Sequence, residues 1–148
     1  MSTTLLRSTE IIIELPREQA MALFTPEGER RWADGWDPHY PKPGRHEGPG
    51  VVFTTGHGSH DTTWIMVDHS AERIRYARVT QGMTAGTVAV DVIGSRDGST
   101  RVRVTYDLTA LTTAGKSWLE AFDVGYETAI AGWATEIAAA LRSTPQDR

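Results

Sequence analysis

Residues 114–141 have the pattern of one long helix with a single apolar face. Gly125 and Gly132 lie along one edge of that face. A glycine inside a helix costs about 1 kcal/mol relative to alanine, so we expect a strand or a bound molecule to approach the helix closely at both positions. The apolar side chains recur at three- and four-residue spacings; they are Trp118, Phe122, Ala129, Trp133, Ile137 and Ala140.

The chain before this helix has the pattern of consecutive short antiparallel strands. These segments are rich in β-branched and aromatic residues, and turn residues separate them, among them the hairpin signal Asp97-Gly98. A helix with one apolar face needs a partner, so we expect it to lie against the inner face of a curved sheet. The predicted strands cover residues 51–55, 62–68, 73–80, 84–94 and 99–111.

The N-terminal part is predicted to supply one more strand and two short helices. Residues 5–15 have a strand pattern, and Pro16 suits the first turn of a helix that ends near Phe24. Thr25 is a good N-cap for a second short helix. Residues 37–50 contain four prolines and three glycines, which predicts an extended loop.

The stretch FTPEGERRWADGWDP, residues 24–38, is predicted to form one wall and part of the entrance of a cavity. A short helix is not stable alone, so it has to bury large side chains. We expect Trp32 and Trp36 to pack inward, with Gly35 turning the chain between them. The charged side chains are expected to face solvent or to bond to the neighbouring loop; they are Glu27, Glu29 and Arg30.

Five motifs in this order of elements carry a family resemblance: LFTPEGERRWADGWDP (23–38), VF, TTWIMVD, IRYARVTQG and VTYDLTALTTAG. From about Ile11 to Leu141 the chain resembles the START-like, or SRPBCC, superfamily, and within it a bacterial subgroup. That superfamily includes polyketide cyclases, the birch-pollen allergen family and lipid-transfer domains. The resemblance implies an α+β helix-grip fold, in which a curved antiparallel sheet of six to seven strands wraps around a long C-terminal helix and two short helices follow the first strand. One such domain would cover residues 1–148.

Composition excludes several kinds of partner. The formal net charge is −4 with no basic block, which argues against nucleic acid. The chain has no cysteine, which excludes disulfides and thiol nucleophiles and suits a reducing compartment. No signal-peptide pattern opens the sequence, and no apolar run approaches the roughly 18 residues of a membrane span. We therefore predict a cytoplasmic protein without stable membrane association; whether it is a monomer or a homodimer stays open.

Aromatic rings are the main candidates for lining a cavity. Five tryptophans are many for a chain of 148 residues, and rings with a polar handle are common where a pocket is apolar but partly wet. For any single ring, a place in an ordinary core is the alternative. The predicted ligand-binding positions of this apolar set are Trp32, Trp36, Phe53, Trp64, Tyr76, Trp118, Phe122, Tyr126, Ala129 and Trp133.

Arg78 is the main polar candidate for a ligand-binding role. It shares strand parity with Ile74 and Tyr76, so it faces the cavity if they do. A buried arginine needs a partner, either a carboxylate of the protein or an acidic group on a ligand. The alternative is that Arg78 reaches solvent at the strand end. Glu136 is placed either to pair with such a cation or to mark the edge where the apolar helix face meets water.

The sequence motifs do not indicate a metal or a cofactor. His57, His60 and Asp61 are possible metal ligands, but they belong to a glycine-containing turn, and no second cluster completes a coordination sphere. We predict a polar turn near the cavity rim and no bound metal. Nucleophile-elbow, phosphate-loop and dinucleotide motifs are missing from the sequence, so no cofactor is predicted and no catalytic residue is assigned.

The leading functional interpretation is binding of a small, mostly hydrophobic or aromatic molecule in a cavity between the sheet and the C-terminal helix. An enzyme of the same fold is the first alternative, with a cofactor-independent cyclase, aromatase or dehydratase activity. A protein-binding module resembling chaperone ATPase activators is the second, and the acidic charge and the opening motif fit it less well.

Overall fold

The computed structural model describes residues 3–46, 48–57 and 60–143, except for the side chain of His57. Its six strands form one antiparallel sheet in the order β1-β6-β5-β4-β3-β2. Two short helices follow the first strand, and one long helix follows the last, as the sequence predicted. The elements in chain order are β1 (Thr4–Ile13), α1 (Arg17–Ala22), α2 (Pro26–Glu29), β2 (Val52–His57), β3 (His60–His69), β4 (Arg73–Thr80), β5 (Thr84–Arg96), β6 (Ser99–Ala110) and α3 (Thr113–Ser143).

The inner face of the sheet carries the core, and the outer face mixes charged and polar side chains with exposed apolar ones such as Leu6 and Ile12. Along β6 the side chains of Val102, Val104 and Leu108 are fully buried, while Arg103 on the other face pairs with Glu10 of β1. Irregularities between Met66 and Asp68, and between Val92 and Gly94, interrupt the register of β3 and β5. Such bulges bend a strand and increase its twist, which curves the sheet.

Helix α3 lies mainly against β1 and β6 rather than across the middle of the sheet. Its buried residues are Gly115, Leu119, Tyr126, Ile130 and Ile137, which recur every three to four residues or at whole heptads and so form one face. The Tyr126 hydroxyl donates a hydrogen bond to the Val104 carbonyl at 2.7 Å. The inner faces of β3, β4 and β5 are consequently left for other parts of the chain to cover. Within the described residues, no helix combines the length and apolar character needed to cross a membrane.

The glycines predicted to permit close approach prove to be the wrong ones. A Cβ added at Gly125 or Gly132 would meet nothing within 4 Å, so no strand touches the helix there. Gly115 is the close contact instead, because a Cβ there would lie 2.6 Å from the carbonyl carbon of Met83. The first turn of α3 is fixed at this point, since Thr112 Oγ1 accepts from Gly115 N at 3.0 Å and donates to Gly82 O at 2.6 Å.

Candidate functional site

Two adjoining chambers lie on the part of the sheet that α3 does not cover. The acid-lined chamber, of about 280 Å³, is bounded by residues of β3 to β6, by Trp133 and Glu136 of α3, and by the segment that follows α2. The threonine-lined chamber, of about 370 Å³, is bounded by residues of β2 to β5, by Met83 in the β4–β5 connection and by Trp118. Three residues border both chambers: Trp36, Trp64 and Arg78.

The segment after α1 forms one wall of the acid-lined chamber because two tryptophans anchor it. Thr25 caps α2 by accepting from Gly28 N at 3.0 Å. Trp32 Nε1 donates to Leu23 O at 2.9 Å, and Trp36 Nε1 donates to Pro26 O at 2.8 Å, so both indoles turn inward with their polar atoms satisfied. Gly35 between them has a φ of 76°, a left-handed conformation that glycine adopts without strain.

The charged residues of this segment divide into two groups. Glu27 and Arg30 behave as predicted: they bond to one another, Tyr40 Oη donates to Glu27 at 2.6 Å, and Arg30 donates to Asp37 at 2.8 Å. The prediction for Glu29 is wrong, because Glu29 is half-buried and lines the acid-lined chamber. Glu29 is the last residue of α2, and the tryptophans that follow it are held inward by the hydrogen bonds of Trp32 and Trp36.

Seven of the eleven predicted ligand-binding residues lie at a chamber wall. They are Trp32, Trp36, Trp64, Tyr76, Arg78, Trp118 and Trp133. All five tryptophans of the chain are in this set. Arg78 and Trp64 stand directly opposite each other on β4 and β3, with the guanidinium carbon 5.0 Å from the Trp64 ring centroid.

Four predicted residues lie away from the chamber walls. Phe53 is fully buried behind them and stacks on Trp64 at 5.8 Å between ring centroids. Phe122 stacks on Trp118 and also contacts Tyr106, while Tyr126 is buried against β6. Ala129 is exposed, because at 3.6 residues per turn it lies about 60° round the helix from Tyr126 and its methyl group is too short to reach the sheet.

The structure adds wall residues that the sequence did not single out. Tyr106, Val88 and Val90 line the acid-lined chamber. The alternation along β6 puts Tyr106 on the inner face, together with Val104 and Leu108, but alternation cannot distinguish a chamber wall from solid core. Four threonines, which no sequence pattern marked, contribute to the walls of the threonine-lined chamber: Thr55, Thr62, Thr80 and Thr84.

Ionisable groups inside the acid-lined chamber have shifted pKa values. Burial raises the pKa of Glu29 well above its ordinary range, which favours the neutral carboxylic acid. Burial also raises the pKa of Tyr106 to about 12, so its phenol keeps its proton. Burial lowers the pKa of Arg78, but a guanidinium remains charged in proteins. Glu136 is exposed at the chamber wall and forms no ion pair with another described residue.

The turn considered for metal binding is only partly described. His60 borders the threonine-lined chamber and Asp61 is exposed, whereas Gly58, Ser59 and the side chain of His57 lie outside the described residues. Within the part of the chain that the structure describes, no group of three His, Asp or Glu side chains is placed to hold a metal ion.

Comparisons with known proteins find relatives by structure and none by sequence. No protein-family model and no curated protein sequence matches the chain. Among solved structures, the Mll3558 protein from Rhizobium loti is 19% identical, covers 93% of this chain and 96% of its own, and superposes with a TM-score of 0.64.

Two similar structures come from proteins with named activities. Norcoclaurine synthase from Thalictrum flavum, solved in complex with dopamine and hydroxybenzaldehyde, is 10% identical over 97% of this chain and 90% of its own, with a TM-score of 0.66. The Zhui aromatase/cyclase from Streptomyces sp. R1128 is 12% identical over 94% of each chain, also with a TM-score of 0.66. Together with the sheet order and the long C-terminal helix, these likenesses show that the chain has the helix-grip fold of START-like proteins.

Proposed function

We propose that the protein binds a small, flat, mostly apolar molecule in the two chambers. The observation that carries this proposal is the position of the tryptophans, because all five of them border a chamber. Tryptophan offers a large rigid apolar surface and one N–H donor, which suits a pocket that holds an aromatic molecule. In a chain that used its tryptophans only for the core, some of them would lie away from any cavity.

The size and lining of the chambers support a ligand of a few rings. Their volumes are about 280 and 370 Å³, so one lies just below and the other near the lower end of the range of roughly 300–1,000 Å³ typical of small-molecule sites. Trp32 and Trp133 pack against each other in a tilted arrangement, with ring centroids 5.5 Å apart, and together form an aromatic wall. Val88 and Val90 supply an aliphatic wall. Norcoclaurine synthase, solved with two small aromatic molecules, shares the fold, which supports the same class of ligand here.

Titration with the neutral aromatic dye aminoanthracene tests this function. We expect saturable binding of the dye, with quenching of tryptophan fluorescence because the indoles surround it. The variant Val88→Phe should abolish binding. Val88 is 5% exposed and lines the chamber, so a larger side chain there would occupy the space of the ligand. Val79→Phe is the matched control, because Val79 lies on the neighbouring strand with 44% of its surface exposed. Binding that Val88→Phe leaves intact would contradict the proposal.

A second candidate function is a cofactor-independent cyclase or dehydratase. The observation that favours it is a proton donor at the wall of the acid-lined chamber: burial raises the pKa of Glu29, which faces the same space as the Tyr106 phenol. A carboxylic acid whose pKa is raised towards the working pH is suited to general acid–base steps. Incubation with a linear β-polyketone tests it; turnover should fall in Glu29→Gln while aminoanthracene still binds. No product from the parent protein would remove this candidate.

A further inference from the structure

Arg78 is a half-buried cation with one buried, unpaired hydrogen-bond donor. Its Nε–H is buried without a hydrogen-bond partner, and its Nη2 donates to Thr80 Oγ1 at 3.1 Å. None of the ion pairs formed within residues 3–46, 48–57 and 60–143 includes Arg78. A buried donor left unpaired costs about 1–3 kcal/mol, and more when the group is charged.

The aromatic neighbours of Arg78 offset only part of this cost. The guanidinium carbon lies 5.0 Å from the centroid of Trp64 and 5.8 Å from that of Trp118. A cation–π contact stabilises the positive charge through the face of the ring, but it provides no lone pair for the N–H groups. The group that matches a planar guanidinium is a carboxylate, which accepts two parallel hydrogen bonds from it.

The charges around the two chambers indicate the side from which an anion would approach. Glu29, Asp34 and Glu136 all border the acid-lined chamber, where a second carboxylate would be repelled or would meet an acid. Among the described residues that border the threonine-lined chamber there is no carboxylate, and Arg78 is the residue there with a permanent charge. The hydroxyls of Thr62 and Thr80, 2.6 Å apart, add hydrogen-bonding groups on that side.

We propose that the ligand is a planar aromatic carboxylic acid whose carboxylate binds Arg78. The inference rests on the proposed function, since it assigns a chemical class to the molecule that fills these chambers. The aromatic part packs between the tryptophans of the acid-lined chamber, and the carboxylate reaches Arg78 on the threonine-lined side. Trp36 and Trp64, which border both chambers, contact the molecule where its apolar part meets its acidic group.

Isothermal titration at neutral pH with cinnamate and cinnamamide tests this inference, because the two probes share a shape and differ in charge. We expect the parent protein to bind cinnamate about tenfold or more tightly than cinnamamide. Arg78→Met should reduce that preference to about twofold or less, since methionine keeps the apolar stem but offers no N–H group to the carboxylate. Arg75→Met is the matched control: Arg75 is exposed on the same strand and faces away from both chambers, so its loss should leave the preference intact.

The outcomes separate this inference from the proposed function. Equal binding of acid and amide by the parent protein would overturn the carboxylate assignment while leaving the apolar site in place. A preference for cinnamate that persists in Arg78→Met would also overturn it, because the anion would then bind elsewhere. Failure of the parent protein to bind cinnamate, cinnamamide and aminoanthracene would overturn both proposals. A cooperative thermal unfolding transition will show that Arg78→Met is folded. Binding of cinnamamide by this variant will show that its chambers are still open to an uncharged ligand.

Discussion

Replacing Gly115 with alanine is expected to destabilise the protein, whereas the same change at Gly132 is expected to stabilise it. A Cβ at Gly115 would lie 2.6 Å from the Met83 carbonyl carbon, which belongs to backbone and cannot rotate away. The Met83 carbonyl oxygen would be closer still, and an ordinary contact with it needs about 3.2 Å, so α3 and the β4–β5 turn would have to separate by more than about 1 Å, at a cost of about 2–3 kcal/mol. Alanine gains about 1 kcal/mol in a helix, so the net loss is about 1–2 kcal/mol.

The matched change at Gly132 measures the cost of a glycine in the helix without any change in contacts. A Cβ there meets nothing within 4 Å, so the expected result is a gain of about 0.5–1 kcal/mol in the free energy of unfolding. Urea unfolding followed by tryptophan fluorescence measures the free energy of unfolding of both variants. In thermal unfolding, each 1 kcal/mol corresponds to a shift of about 2–4 °C in Tm for a chain of this length. A Gly115→Ala protein as stable as the parent, or a Gly132→Ala protein less stable than it, would refute the close-approach argument.

Three further predictions concern the chambers. Trp36→Ala should weaken aminoanthracene binding by about tenfold, because it removes a ring that borders both chambers; Trp36→Phe should weaken it less, and equal losses would contradict a contact role. The Tm of Glu29→Gln should rise relative to that of the parent as pH increases above about 4. The reason is that Glu29 releases its proton in the unfolded chain there, while the folded residue, with its raised pKa, retains it and so loses stability. A constant difference in Tm across that range would contradict this. The purified protein should contain no stoichiometric zinc or iron, and a chelator should leave its Tm unchanged; one tightly held metal equivalent would reverse the interpretation of His60 and Asp61.

The order of elements was predictable because each one has a strong local pattern. Alternation of buried and exposed residues marks β6, and three- and four-residue spacing marks α3. The Asp97-Gly98 hairpin forms as predicted, and Asp97 takes the left-handed conformation with a φ of 47°. These signals are local, so they give element type without showing which surface each element covers.

The site was harder to predict because it depends on how α3 is placed. Phe122 and Tyr126 belong to the apolar face of the helix, but that face meets β1 and β6, so these rings enter the core instead of the chambers. Glu29 was misplaced for a related reason. The four residues of α2 are too few for a periodicity that could distinguish an inward from an outward side chain. The segment is also held by hydrogen bonds from Trp32 and Trp36 to carbonyls of residues before or within α2, which periodicity does not reveal.

The pairing of the first strand with the last one has a consequence for how the chain acquires its structure. Ile11 pairs with Val102, so β1 finds its partner only across about 90 residues of sequence. A ribosome delivers β1 long before β6, and until then the apolar run Ile11–Ile13 has an unsatisfied edge of the kind that seeds aggregation. Glu10 and Glu14 flank that run and place charge on both sides of it, which hinders intermolecular pairing during synthesis. We therefore expect β1 to join the sheet late in folding. Until then, Glu10 and Glu14 are expected to keep this strand from pairing with other chains.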